Sequence, residues 1–212
     1  MQYLRRFILA VTAVILALPG RATAHPHVWT TVKSEVVYAA DGSITGIRHA
    51  WSFDEMFSTF ATQGLETKQK GVFTREDLAP LAKVNIESLK EFDYFTRATA
   101  NGKASPFNEP LDYWLDFRDS VLTLNFTLPF KAPVKAKQLN FEIVDPTWFV
   151  DFSLAEKDPV ALVGAPAQCK LSVAKSKDPL QQGKPSEEFF ASTESAGQWA
   201  AQFANKFSVT CP

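Results

Sequence analysis

The residues with the most evident chemistry are His25-Pro26-His27-Val28-Trp29, which follow Ala22-Thr23-Ala24 directly. Upstream, Arg5 and Arg6 precede an apolar run from Phe7 to Leu18, closed by Pro19-Gly20 and a small-x-small pattern, the layout of a secretory signal peptide. Cleavage after Ala24 makes His25 the first residue of the mature chain. An α-amino group and the imidazoles of His25 and His27 then fall within three residues, so three neutral nitrogen donors can converge on one divalent transition-metal ion. Pro26 has no amide N–H, which blocks a chelate through the backbone amide at that position and leaves the side chains and the amine to hold the ion. The plain alternative is a pair of solvated histidines at a new N-terminus.

The elements that position these residues begin with a hairpin. Residues 27 to 38 alternate and are rich in Val and Thr, Asp41-Gly42 marks a turn, and residues 43 to 53 alternate again. A two-residue loop at Asp41-Gly42 sets Val36 opposite Ile47, Ser34 opposite His49, Val32 opposite Trp51 and Thr30 opposite Phe53 on the core face. Glu35 then meets Arg48 on the other face, and Trp29 meets Asp54. His49, the third and last histidine of the chain, lies seven residues along the ladder from the level of His27, roughly 23 Å at strand rise. It reads as a core histidine hydrogen-bonded near Ser34. Asp54 and Glu55, at the end of the second strand, are the nearest carboxylates the hairpin can offer, and Asp54 is the first choice for an oxygen ligand.

From Asp54 the period becomes helical through Met56, Phe57 and Phe60, and a second helical pattern runs from about Arg75 to Tyr94. The helix-loop-helix insertion spans about 54–95. Aligned on Gly71, Glu66 to Asp77 has the frame of a calcium loop, yet Lys68 and Lys70 stand at its third and fifth positions, where the ion requires oxygen ligands. Calcium binding is not expected. Short strands follow, punctuated by Pro129, Pro133, Pro146, Pro159 and Pro166, a spacing that favours an antiparallel sandwich or barrel. Ser192 or Thr193 can cap a last helix with Trp199, Phe203 and Phe207 on one stripe. The fold class is α+β: a β-rich, sandwich-like antiparallel domain with a helix-loop-helix insertion and a C-terminal helix.

Composition narrows the function. Residues 1–24 are the signal peptide and 25–212 form one periplasmic domain, long enough for a single core. Without Arg5, Arg6 and Arg21 the mature chain has 19 basic and 23 acidic residues, a net charge of −4 that argues against a nucleic-acid partner. No apolar run in the mature chain approaches the roughly 20 residues of a membrane-spanning helix. Cys169 and Cys211, exported to an oxidising compartment, are expected to form a disulfide, with a thiol metal site as the weaker reading.

No Gly-rich phosphate loop, nucleophile elbow or paired-histidine zinc helix is present, so the chain reads as a non-enzyme. Asp145-Pro146-Thr147-Trp148, followed by Asp151, is the most distinctive remaining polar segment. Asp145 is the second candidate oxygen ligand or an acceptor that orients an imidazole; the plain alternative is an ordinary Asp-Pro turn.

HPHVW, WSFDEMFS, GVFTREDL, EFDYFT, FRDSVLTLNFTLPF and VDPTWFVDF followed by GAPAQC together resemble the domain-of-unknown-function family 1007. Its members are exported bacterial proteins labelled as the periplasmic component of an uncharacterised ABC-type transport system. The resemblance covers nearly the whole mature chain. It implies a part in uptake or homeostasis of a divalent metal, nickel, cobalt or zinc, beside a membrane metal transporter. Many relatives have an acidic loop where this chain has Lys68 and Lys70. The expected function is therefore a periplasmic metal-binding accessory protein with His25, His27, Asp54 and Asp145 as candidate ligands. The alternatives are a copper oxidoreductase with an N-terminal histidine brace and a metal-free structural or partner-binding protein.

Overall fold

The computed structural model describes residues 27–67, 69, 71–174 and 193–212. Residues 1–24, expected to be a signal peptide, and His25, Lys68, Lys70 and Ser192 therefore lie outside the described residues.

Strand β1 (Val28–Tyr38) alternates buried and exposed residues along its length, because Val28, Thr30, Val32, Ser34 and Val36 face one side of the pleat. It pairs antiparallel with β2 (Ile44–Phe53) in the expected register: Thr30 opposite Phe53, Val32 opposite Trp51, Ser34 opposite His49, Val36 opposite Ile47. The turn differs from expectation. Ala39 and Ser43 close it, which makes a three-residue loop with Gly42 at φ 77°, and the register shifts between Val37 and Tyr38 before the expected pairing resumes. A three-residue loop ending in a left-handed residue is the next most common hairpin solution after the two-residue turn. Asp41 holds it by accepting the Ser43 N–H at 3.0 Å. Beside the irregularity, Gly46 meets the adjacent backbone so closely that a Cβ there would stand 2.3 Å from the Leu128 carbonyl oxygen.

The first sheet grows from this hairpin on both sides. On the β2 side come β6 (Val121–Val134) and then β5 (Leu111–Arg118). On the β1 side, β8 (Val150–Leu154) and β9 (Val160–Val163) follow one another along the same edge, both parallel to β1. The sheet is therefore mixed, where the sequence spacing favours an antiparallel one. Parallel pairing leaves the period of two unchanged, so strand patterning alone does not distinguish the two arrangements.

The second sheet is antiparallel, in the order β10 (Lys170–Ala174), β11 (Asn205–Thr210), β7 (Gln138–Ile143), β3 (Thr96–Ala100), β4 (Lys103–Ala104). The inner faces of both sheets contribute to one core, in which Trp51, Phe126, Leu124, Leu128, Leu139, Ile143 and Phe207 are all buried. Trp51 packs edge-on to Phe126 of β6 at 4.9 Å and stacks near Phe95, the residue that leads into β3, at 6.5 Å. Asn205 donates its buried amide to the Phe152 carbonyl and so joins the second sheet to β8.

Helices α1 (Glu55–Thr62) and α2 (Arg75–Leu89) form the helix-loop-helix insertion between β2 and β3. Thr74 and Asp77 make a reciprocal capping box at the start of α2. The insertion rests on β5, with the Arg75 guanidinium 4.5 Å above Trp114 and Phe73 edge-on to Phe117. At the end, α3 (Thr193–Ala200) passes through a 3₁₀ turn, Ala201–Phe203, into β11. Phe207 therefore belongs to a strand, stacked on Phe141 at 4.4 Å, and not to the helical stripe. A spacing of four brings residues to one face of either element, and the sheet partner decides between them. Cys169 and Cys211 form the expected disulfide, which closes a 42-residue separation and on the chain-entropy estimate contributes about 4 kcal/mol.

Because the backbone of β6 occupies the space a Cβ would need, Gly46→Ala should lower unfolding free energy by about 3 kcal/mol, read as a fall in the urea midpoint at unchanged slope.

Candidate functional site

The start of β1 is held on each edge by a carboxylate acting on backbone. On one side Asp54, the N-cap of α1, accepts the Phe57 N–H at 2.8 Å through Oδ1 and the Trp29 N–H at 3.0 Å through Oδ2. The Asp54 N–H in turn donates to the Trp29 carbonyl at 2.9 Å. One side chain thus starts a helix and anchors the strand that carries His27. Each of its oxygens accepts one of these bonds, which leaves acceptor capacity for a further partner.

On the other side the His27 and Val28 N–H groups both donate to the Phe149 carbonyl, at 2.9 and 3.2 Å. The His27 imidazole is exposed and lies 4.8 Å from the Phe149 ring. Phe149 is positioned by Asp145, which is buried and accepts four hydrogen bonds: from the Thr147 N–H and hydroxyl on Oδ1, and from the Phe149 and Val150 N–H groups on Oδ2. Four donors occupy the roughly four lone-pair sites of a carboxylate. Asp145 therefore organises the turn into β8 and has no acceptor capacity for an ion. Its link to the histidine is indirect, through the backbone of Phe149.

The parallel pairing brings to this end a carboxylate that the sequence pattern does not place here. Trp29 of β1 stands opposite Asp151 of β8, and partners across a ladder share a face, so Asp151 lies beside Trp29 on the outer side of the sheet. Asp54 flanks Trp29 from the opposite direction. Next to them a surface groove of about 340 Å³ is lined by Thr31, Ser52 and Ser153 together with Trp29 and Asp54. Nothing in the local sequence signals that Asp151 is near the N-terminus, because the strand pairing spans more than a hundred residues. Among the described residues no three His, Cys, Asp or Glu side chains come together as a metal site.

His49 is in the core. Its Nδ1 is 2.9 Å from the Ser34 hydroxyl and its Nε2 is 3.4 Å from the Thr96 hydroxyl of the second sheet. Burial without a charged partner pushes its pKa down to about 3. Elsewhere, a cavity of about 820 Å³ lies on the outer face of the second sheet, where Arg97, Glu142 and Lys206 form a row across neighbouring strands. It is distinct from the His27 end. No helix among the described residues is long and apolar enough to cross a membrane.

Fold and site together define a two-layer α+β sandwich with a helix-loop-helix insertion and an anchored N-terminal strand. The chain belongs to the family described as protein of unknown function DUF1007, whose family model matches residues 10–211. No curated protein matches it.

Two measurements check the polar groups described above. Asp145→Ala removes a charged acceptor from four donors and should cost roughly 3 kcal/mol in urea unfolding. His49 binds a proton in the unfolded chain below about pH 6.5 but stays neutral in the folded one down to about pH 3. Its contribution is thus fully present above the unfolded value and is lost as pH falls, by up to about 1.4 kcal/mol per unit. The slope of stability against pH between 4.5 and 6 should become shallower in His49→Gln by about one proton.

Proposed function

We propose that the protein is a periplasmic accessory of a divalent-metal transport or homeostasis system, binding nickel, cobalt or zinc without catalysing a reaction. The ion is held by the α-amine and imidazole of His25 and the imidazole of His27, with Asp54 as oxygen ligand. The observation that supports this most directly is the anchoring of β1: Asp54 on one edge and the Phe149 carbonyl on the other fix the backbone from His27 to Trp29. A second imidazole two residues along, a free amine and a carboxylate with remaining acceptor capacity make a mixed nitrogen and oxygen donor set, which suits late first-row ions. Asp151, beside Trp29, adds negative charge that favours a cation. A copper brace usually draws a second imidazole from elsewhere in the fold. The remaining histidine, His49, is sealed in the core, so the brace reading has the weaker support.

Calorimetric titration of mature protein beginning at His25 with nickel should show one ion bound. His27→Ala, or one extra residue before His25, should each lower affinity at least about tenfold with the melting temperature of the metal-free protein unchanged. Protons compete for the nitrogen donors, so affinity should fall steeply from pH 8 to pH 6. Equal affinity in parent and both variants would refute the site.

A further inference from the structure

Behind the outer face that carries His27 and Trp29, the inner side of the same strands encloses a feature the metal reading does not use. A cavity of about 190 Å³ lies between the beginning of β1, the end of β2, the last turns of α2 and the first residues of β8. Its walls are aromatic, from Phe53, Phe57, Phe92, Phe95, Phe149 and Phe152. No charged side chain among the described residues lines it. Phe92 and Phe149 are themselves partly exposed, at 36% and 47%, which places them where the cavity meets solvent.

Two polar atoms in this apolar setting have no partner among the described residues. Thr30 Oγ1 and Trp51 Nε1 are buried without a hydrogen bond, although both residues are only 1% exposed and both line the cavity. They are diagonal neighbours on the inner face, since Thr30 stands opposite Phe53 and Trp51 opposite Val32. A buried donor left unmade destabilises a fold, and native structures satisfy nearly all of them. The other polar residues of the lining, half-buried Asn85 and exposed Ser88, each donate to the backbone of α2: Asn85 Nδ2 to the Leu81 carbonyl at 2.9 Å and the Ser88 hydroxyl to the Asn85 carbonyl at 2.8 Å. The fully buried groups left for an occupant are thus one indole N–H, which can only donate, and one hydroxyl.

These observations define the occupant's chemistry. The lack of charge excludes an ion, the aromatic wall calls for an apolar body, and the indole requires an accepting atom. A dry cavity of about 150 Å³ lined by aliphatic and aromatic residues takes up benzene, so the volume here admits one substituted ring. A lone water would meet the two polar atoms but leave the aromatic wall unmatched, and buried waters ordinarily have about three polar partners. We propose that this cavity is a binding site for a small, neutral, single-ring-sized molecule whose hydrogen-bond-accepting oxygen receives the Trp51 indole N–H and the Thr30 hydroxyl. The site is independent of the metal proposal, although Phe149 contributes to both regions.

The test uses the mature, disulfide-bonded protein and two probes of nearly equal shape, acetophenone and ethylbenzene, of which only the first has an accepting oxygen. The indole N–H resonances of the five tryptophans are followed by nitrogen-edited NMR, with Trp51 assigned by its loss in Trp51→Phe or by its contacts to Phe126 and Phe152. Acetophenone should shift the Trp51 signal saturably and bind at least about tenfold more tightly than ethylbenzene. Thr30→Val should weaken acetophenone by about threefold or more and leave ethylbenzene unaffected. A Trp51 signal that does not move up to the solubility limit of acetophenone, or equal affinity for the two probes, overturns the proposal. So does a long-lived water that remains in contact with the Trp51 indole at saturating acetophenone. The wild-type comparison decides the matter even if neither variant folds.

Discussion

Hydrogen bonding of β1 along both edges is the constraint on which the rest of the molecule depends. One edge is taken by β2, which the hairpin supplies at once. The other edge is filled only after more than a hundred further residues, when β8 and β9 arrive in parallel and in succession. A central strand must bury one face and bond both edges, so its two faces acquire different tasks. The inner side chains, Val28, Thr30, Val32, Ser34 and Val36, enter the sandwich, while the outer ones, Trp29, Thr31 and Lys33, meet solvent. The candidate ion site lies on the outer side at the first residues of this strand, and the aromatic cavity lies on the inner side.

Two aspartates at that end illustrate how the same chemical group is given different roles by its surroundings. Asp145 has a donor for each lone pair and is buried; its charge is consumed locally in shaping the turn that presents the Phe149 carbonyl. Asp54 is half-buried and shares its oxygens between a helix N-terminus and the strand. A carboxylate at a helix N-terminus is favoured by the unsatisfied N–H groups there, which explains why the β2 to α1 junction is placed where it is. The capacity left on Asp54 is a by-product of this structural duty.

The buried polar groups of the core also fall into two kinds. His49 finds a hydroxyl on each ring nitrogen, one from β1 and one from β3, and so links the two sheets. Thr30 and Trp51, a few residues away on the same inner face, find none among the described residues. A sandwich that satisfies one polar cluster and leaves its neighbour unmet beside an aromatic cavity has the asymmetry of a binding site rather than of a packing core.

The sequence by itself determined the local part of this molecule. The hairpin register, with Ser34 opposite His49, follows from alternation and one turn. So do the polar-face partnership of Glu35 with Arg48 and the change to helical period at Asp54, because strand and helix periods are properties of neighbouring residues. The disulfide was legible from an even cysteine count in a chain whose N-terminus reads as an export signal, and the family from motifs spread over its length. The position of Asp151 beside Trp29, the saturation of Asp145, the strand identity of Phe207 and the pairing of β8 with β1 were decided only by the tertiary structure. Each depends on a contact between segments far apart in the chain, and no local pattern encodes which distant edge a strand will take.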